Sequence, residues 1–146
     1  MSGELWLEVD DDPDPRDAEL LNEGLYRYNR AHTGFADGSS LGVFLRDREG
    51  IIVGGAYGYT WGGCLDVKYL WVEDQLRHSG YGTRLLRAAE QAAAARGCHT
   101  AMLDTYEFQA PKFYQKLGYE VYGVIDDPQV RCRKFFFKRA LPRGVA

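Results

Sequence analysis

Residues 69–86 read Tyr69-Leu70-Trp71-Val72-Glu73-Asp74-Gln75-Leu76-Arg77-His78-Ser79-Gly80-Tyr81-Gly82-Thr83-Arg84-Leu85-Leu86, which is a strand, a loop and a helix start punctuated by glycine. The strand opens at Leu65 and ends near Glu73. The helix runs from Tyr81 to Arg96 with Leu85, Leu86, Ala89 and Ala93 as its inner stripe, and Gly97 closes it. Upstream, Leu41 to Asp47 and Ile51 to Trp61 read as two strands joined at Arg48-Glu49-Gly50, and Gly62-Gly63 turns the chain into the strand at Leu65. Downstream, Thr100 to Thr105 is a short strand and Ala110 to Leu117 a short helix ended by Gly118. Two late strands follow near Tyr119–Ile125 and Arg131–Lys138. At the start of the chain, Leu5, Leu7 and Val9 alternate as a strand over Glu4–Val9. Asp14, Pro15 and Asp17 then open a helix that carries Ala18, Leu21, Leu25 and Tyr28 on one face and breaks by Gly34. The order predicts one α/β domain over residues 1–146 with a mixed sheet, and no repeat or linker interrupts it.

Composition narrows the function classes. A chain of 146 residues, 45% hydrophobic and 27% charged, is an ordinary globule with a core. Its net charge of −3 argues against a nucleic-acid binder, although Arg131–Arg139 interleaves cations with Phe135, Phe136 and Phe137. As a strand, that segment sends basic and aromatic side chains to opposite faces. No apolar run approaches a membrane span, and Met1-Ser2-Gly3-Glu4 lacks the basic and apolar parts of a secretory signal, so the expected location is the cytoplasm. Cys64, Cys98 and Cys132 form no C-x-x-C pair and read as buried free thiols. His32, His78 and His99 form no ligand cluster, so no metal is expected.

The chemistry lies in the glycines of the opening stretch. Gly80 and Gly82 clear side chains from the turn into the helix, so several N–H groups converge on one anion with the positive end of the helix behind them. Arg77 stands just before the turn to add a charge-assisted contact. Leu85 stands where a dinucleotide fold needs its third glycine, and no Gly-Lys-Ser/Thr triplet marks an NTPase loop. The guest predicted is a phosphate or pyrophosphate.

Arg77-x-x-Gly80-x-Gly82, after Leu70-Trp71-Val72 and before a Leu-rich helix, resembles the acyl-CoA-binding motif of the GNAT superfamily of N-acetyltransferases. Downstream, Ala110, Tyr114 and Leu117-Gly118-Tyr119 are similar to that superfamily's second signature. The resemblance spans nearly the whole chain. It implies a central mixed, mostly antiparallel sheet with splayed strands, flanked by helices. It also implies acetyl-CoA as cosubstrate, bound by the main chain of Leu70, Trp71 and Val72, and by Arg77, His78, Ser79, Gly80, Tyr81, Gly82 and Thr83 at the pyrophosphate. Within it, the Leu70 N–H polarises the thioester carbonyl and Tyr114 protonates the departing thiolate. Glu107 stands where many relatives carry an Asn that bonds the pantetheine arm.

A general base is sought among Asp66, Glu73 and Asp104, with Asp104 first because strand ends surround such clefts. By strict alternation Asp66 shares the side-chain parity of Leu70, and Glu73 is opposite to Asp66. The resemblance brings the acceptor in over the region 28–40, with Tyr28, His32 and Phe35 as contacts and Tyr57, Tyr59, Trp61 and Tyr106 as walls that favour a cationic amine. The function implied is direct transfer of acetyl to a primary amine of a small molecule, with no nucleic acid and no membrane involved. The alternatives are a protein N-terminal or lysine acetyltransferase, and a non-catalytic acyl-CoA-binding protein. Many relatives pair through their sheets or late strands, so the resemblance also admits a homodimer.

Overall fold

The computed structural model describes residues 3–143; Met1 and Ser2 of the N-terminus quoted above lie outside the described residues. The chain divides into two compact units between Ala36 and Asp37.

The first unit holds one helix, α1 (Pro15–Thr33). Asp14 caps it by accepting from the Arg16 N–H, and Gly34 stops it in the left-handed region at φ 76°. Both ends match the sequence pattern. One expectation fails here. The strand predicted over Glu4–Val9 is not formed: residues 3–10 are irregular, and Leu5, Trp6, Leu7 and Val9 stand open to solvent. Apolar alternation needs a neighbouring ladder to become a strand, and this segment pairs with none. The stripe Ala18, Leu21, Leu25 and Tyr28 is likewise exposed, and α1 buries no residue. Its own unit has no second layer to receive that stripe.

The second unit is an open six-stranded sheet with helices packed on it. The strands are β1 (Ser39–Arg46), β2 (Ile52–Trp61), β3 (Cys64–Val72), β4 (Thr100–Tyr106), β5 (Glu120–Ile125) and β6 (Lys134–Ala140), in the order β1-β2-β3-β4-β6-β5. Only the β3–β4 pair is parallel. The connection between them carries α2 (Tyr81–Ala95), as a parallel crossover requires. The sheet is therefore the mixed, mostly antiparallel one expected, and α3 (Pro111–Lys116) follows β4.

α2 lies across β1, β2 and β3. Its inner stripe is the predicted Leu85, Leu86, Ala89 and Ala93, all buried, and the sheet answers with Leu41, Ala56, Leu65, Val67, Ala101, Leu103 and Phe137. Leu86 and Phe137 are fully sealed. Burying a Leu or Phe side chain contributes roughly 1.5–3 kcal/mol, so this layer dominates the unit's stability. β6 sends Phe137, with Phe135 beside it, into that core, while Phe136 takes the other face under the Lys134 ammonium. Among the described residues no helix is long and apolar enough to cross a membrane.

Candidate active site

β3 is paired with β4 only over Cys64–Asp66, against Thr100–Met102. Beyond Asp66, β3 continues to Val72 beside β2, and β4 continues to Tyr106 beside β6. The two facing edges share no ladder beyond that point, which leaves an unpaired gap in the sheet between them.

The register decides which groups face it. Glu73 donates its N–H to the Val53 carbonyl at 2.9 Å, so residue 73 is hydrogen-bonded to β2. Antiparallel pairing alternates, which turns the main chain of Trp71 toward β2 and that of Leu70 and Val72 away from it. The Val72 carbonyl indeed accepts from Arg77 Nε at 3.4 Å. Leu70 and Val72 thus present main-chain groups to the gap, whereas those of Trp71 belong to the β2 ladder.

A register shift between Tyr57 and Gly58 leaves Lys68 unpaired. This bulge overturns the parity predicted for the acids. Asp66 stands opposite Tyr59 and Leu70 opposite Ala56, so Asp66 and Leu70 point to opposite faces. The face away from α2 carries Asp66, Tyr69 and Trp71 from β3, Tyr57 from β2 and Asp104 from β4. Asp66 pairs with Lys68 at 2.6 Å, and Asp104 meets Lys134 at 3.7 Å with half its side chain in solvent. Tyr57 and Tyr69 stack at 6.0 Å.

The loop after β3 makes a short 3-10 turn at Asp74–Leu76, then places His78 at φ 64° and Gly80 at φ 82° before α2 begins. No side chain caps α2, and its first intrahelical bond runs from Arg84 N–H to the Gly80 carbonyl. The N–H groups of Tyr81, Gly82 and Thr83 are left for an external acceptor at the positive end of the helix. His78, Ser79 and Gly80 are exposed beside them. Arg77 is held by Asp74 at 3.2 Å, with its side chain more than half exposed. Gly80 has open space around its Cα, and its need for glycine is the left-handed backbone. Gly82 differs: a Cβ there would lie 3.3 Å from the Phe113 ring. Its bare Cα serves the packing of α3 against α2.

α3 starts after Ala110, a non-glycine residue in the left-handed region at φ 62°. Tyr114 sits among the rings of Phe113, Tyr119 and Phe137. Burial pushes its phenol up to about 12. Its hydroxyl has no hydrogen-bond partner among the described residues, yet it is not a sealed orphan, so it reaches solvent. Its ring is half-buried against the core and its hydroxyl faces solvent.

Glu107 makes a different contact from the one its position suggested. It accepts from Arg133 Nε at 2.8 Å, and that guanidinium holds its carboxyl below the usual range. The three thiols are free, with Cys98 buried and Cys64 and Cys132 only partly so. Burial pushes the thiols of Cys64 and Cys98 up, away from nucleophilic use. Tyr28 and His32 lie against each other on α1 at 4.1 Å, and Phe35 follows its end; all three belong to the first unit.

A family model for the GNAT acetyltransferases matches residues 5–119. The chain belongs to this family. Acetyltransferase Atu2258 of Agrobacterium fabrum is 33% identical over 115 residues, covering 77% of this chain and 84% of that protein. The blasticidin-S acetyltransferase of Streptomyces morookaense is 39% identical over 80 residues, 54% of this chain and 59% of that one. The crystal structure of an acetyltransferase from Bacillus cereus ATCC 14579 superposes with a TM-score of 0.74 at 31% identity, over 92% of this chain and 98% of that one. The chain is accordingly an acyltransferase of a family that uses acetyl-CoA.

One functional-looking group escaped the sequence reading. Glu90 falls on the inner stripe of α2, four residues after Leu86, and is buried there with Arg87, Arg139 and Tyr119 on its carboxylate. A charged residue on an apolar stripe, with a cation three positions before it, was the available signal.

Proposed function

We propose that this chain transfers acetyl from acetyl-CoA to a primary amine of a small molecule, directly and without an acyl-enzyme. The observation that carries the reading is the gap between β3 and β4, with Leu70 and Val72 main-chain groups turned into it. The residues fit the cosubstrate. Leu70 and Val72 supply main-chain partners for an amide-bearing arm. Arg77 and the backbone from His78 to Thr83 suit a pyrophosphate, through N–H groups that no cap satisfies. Acetyl-CoA supplies an activated thioester. The amine nitrogen attacks its carbonyl carbon, the C–N bond forms as the C–S bond breaks, and the amine loses a proton.

The Leu70 N–H donates to the oxygen that gathers charge, a contribution worth about 3–4 kcal/mol where such a donor has been removed. Tyr114 gives its proton to the sulfur and regains one from solvent. With its phenol at about 12, it is protonated at every working pH. Burial disfavours the phenolate as it disfavours a naked thiolate, so the transfer to sulfur depends on Tyr114 regaining a proton from solvent through its open hydroxyl. Asp104 takes the amine proton through water, next to the Lys134 ammonium. The stacked Tyr57 and Tyr69, on the same face as Asp66 and Asp104, suit a cationic acceptor. The raised thiols of Cys64 and Cys98 favour direct transfer. The likeness to a blasticidin-S acetyltransferase favours a small-molecule acceptor over a protein.

The test is acetyl-CoA turnover, followed as free thiol, against polyamines, aminoglycosides, blasticidin S and peptides with free N-termini. Turnover on small amines and not on peptides is expected. Turnover on peptides alone overturns the substrate class. CoA that raises the melting temperature with turnover on no amine favours a non-catalytic acyl-CoA binder, and CoA that does not stabilise the protein ends both readings.

A further inference from the structure

Glu90 is 4% exposed, yet it is ionic and fully engaged. Its Oε1 accepts from Arg87 Nη1 and Arg139 Nη1, both at 2.7 Å, and its Oε2 accepts from the Tyr119 hydroxyl at 2.6 Å. Apolar packing alone would hold α2 on the sheet, so stability does not demand a carboxylate here.

What the cluster grips is specific. Leu117, Gly118 and Tyr119 follow α3 directly, and the cluster touches all three. Arg87 Nη2 donates to the Leu117 carbonyl at 3.0 Å. Arg139 Nε lies 3.1 Å from where a Gly118 Cβ would stand, so a side chain there would press on it. Tyr119 donates its hydroxyl to Glu90 and its N–H to the Tyr114 carbonyl, the latter at 3.0 Å. The Tyr114 and Tyr119 rings meet edge to face at 6.1 Å. One carboxylate on α2 therefore fastens the exit of α3, and through it the residue carrying the open phenol.

We propose that Glu90, with Arg87, Arg139 and Tyr119, is a positioning cluster that sets Tyr114 relative to the anion-binding start of α2. The proposal rests on the reading of Tyr114 as the proton donor. α2 carries both ends of the device: its first turn faces the proposed pyrophosphate, and Glu90 lies further along the same helix. Greasy contacts between α3 and α2, such as Phe113 on Gly82, tolerate sliding, whereas short charge-assisted hydrogen bonds do not. Burial and the adjacent Glu90 carboxylate both raise the Tyr119 phenol, which keeps it a donor across the working range. A misplacement of about 1 Å at a reacting group is enough to cost roughly a hundredfold in rate, so a loosened Tyr114 is expected to show in kcat.

The experiment uses Tyr119→Phe, which keeps the ring and leaves Glu90 its two arginines, and Glu90→Gln as a second variant of the same shape. Each is made alone and in a Tyr114→Phe background. Steady-state rates are measured with acetyl-CoA and the fastest amine of the panel. Tyr119→Phe alone is expected to lower kcat about tenfold with the acetyl-CoA KM within about twofold. In the Tyr114→Phe background the same change is expected to leave kcat within about twofold, because no hydroxyl remains to be positioned. An equal fall in both backgrounds, an unchanged kcat in Tyr119→Phe and Glu90→Gln, or a rise confined to KM overturns the positioning role while leaving Tyr114 as donor. Full activity of Tyr114→Phe alone overturns the donor role of Tyr114, wild-type protein that turns over no amine overturns the functional reading, and either result takes this proposal with it.

Discussion

Replacing Tyr114 by Phe separates what its ring does from what its hydroxyl does. The ring packs on Phe113, Tyr119 and Phe137, and Phe keeps those contacts. The hydroxyl makes no hydrogen bond among the described residues, so its loss at neutral pH is expected to change stability by less than about 0.5 kcal/mol. At high pH the two proteins diverge. Folding raises the Tyr114 phenol from 10.0 to about 12 through burial. A group whose folded pKa is raised keeps its full contribution below the unfolded value and loses it as pH climbs toward the folded one. The wild-type protein therefore loses stability from pH 10 to pH 12 on account of this residue, by a ceiling of roughly 2–3 kcal/mol. By about pH 11.5 the loss amounts to about 2 kcal/mol. Urea unfolding of both proteins, from about pH 8 to about pH 11.5, reads the difference directly. Tyr119 also titrates high, but it is present in both proteins and cancels. Parallel curves would refute the desolvated phenol. The same variant at neutral pH should lose about a hundredfold in kcat with little change in CoA affinity.

Three further substitutions probe the proposed anion site. Arg77→Ala should raise the acetyl-CoA KM about tenfold, more at low salt, while kcat and urea stability stay put, because Arg77 is largely exposed and held by Asp74. Gly80→Ala and Gly82→Ala should fail differently. The first is expected to cost about 1–2 kcal/mol by urea unfolding, since its backbone lies at φ 82° in open space. The second presses on Phe113 and should lower kcat through α3 more than it weakens CoA binding by calorimetry. Equal effects of the two on CoA affinity would mean that the bare Cα of Gly82, and not only its N–H, serves the anion.

Local chemistry carried most of the fold into the sequence. Asp14 and Gly34 bound α1, the stripe from Leu85 to Ala93 is the buried face of α2, and Gly118 ends α3 at φ 94°. These features depend on neighbours within a turn or two. The failures depend on distant partners. Leu5, Leu7 and Val9 have the period of a strand, but no ladder takes them up, and periodicity cannot report whether a neighbour exists. Strict alternation misplaces Asp66 relative to Leu70 because one unpaired residue, Lys68, reverses every assignment beyond it. Glu90 shows in the sequence only as a charge on an apolar stripe, because its partners Tyr119 and Arg139 lie far off and only the fold brings them to one carboxylate.

The bulge at Lys68 ties the glycine content of β2 to the gap between β3 and β4. A Cβ at Gly58 would collide with the Asp66 carbonyl, so only glycine allows β3 to approach β2 so closely at that point. The register then slips by one residue, and a bulged strand bends and twists more strongly than its neighbours. The β3–β4 ladder ends at Asp66, two residues before Lys68. Three consequences meet there. β3 no longer pairs with β4, which leaves the gap. Leu70 and Val72 turn their main-chain groups into it while their side chains pack on the core. Tyr69 and Trp71, in turn, move to the face that holds Asp66, Tyr57 and Asp104. Without the slip, Leu70 would share the face of Asp66, and the core and solvent sides of the strand beyond it would be exchanged. One missing side chain on β2 thus sorts the strand into a buried side, an unpaired edge and a solvent-facing aromatic side.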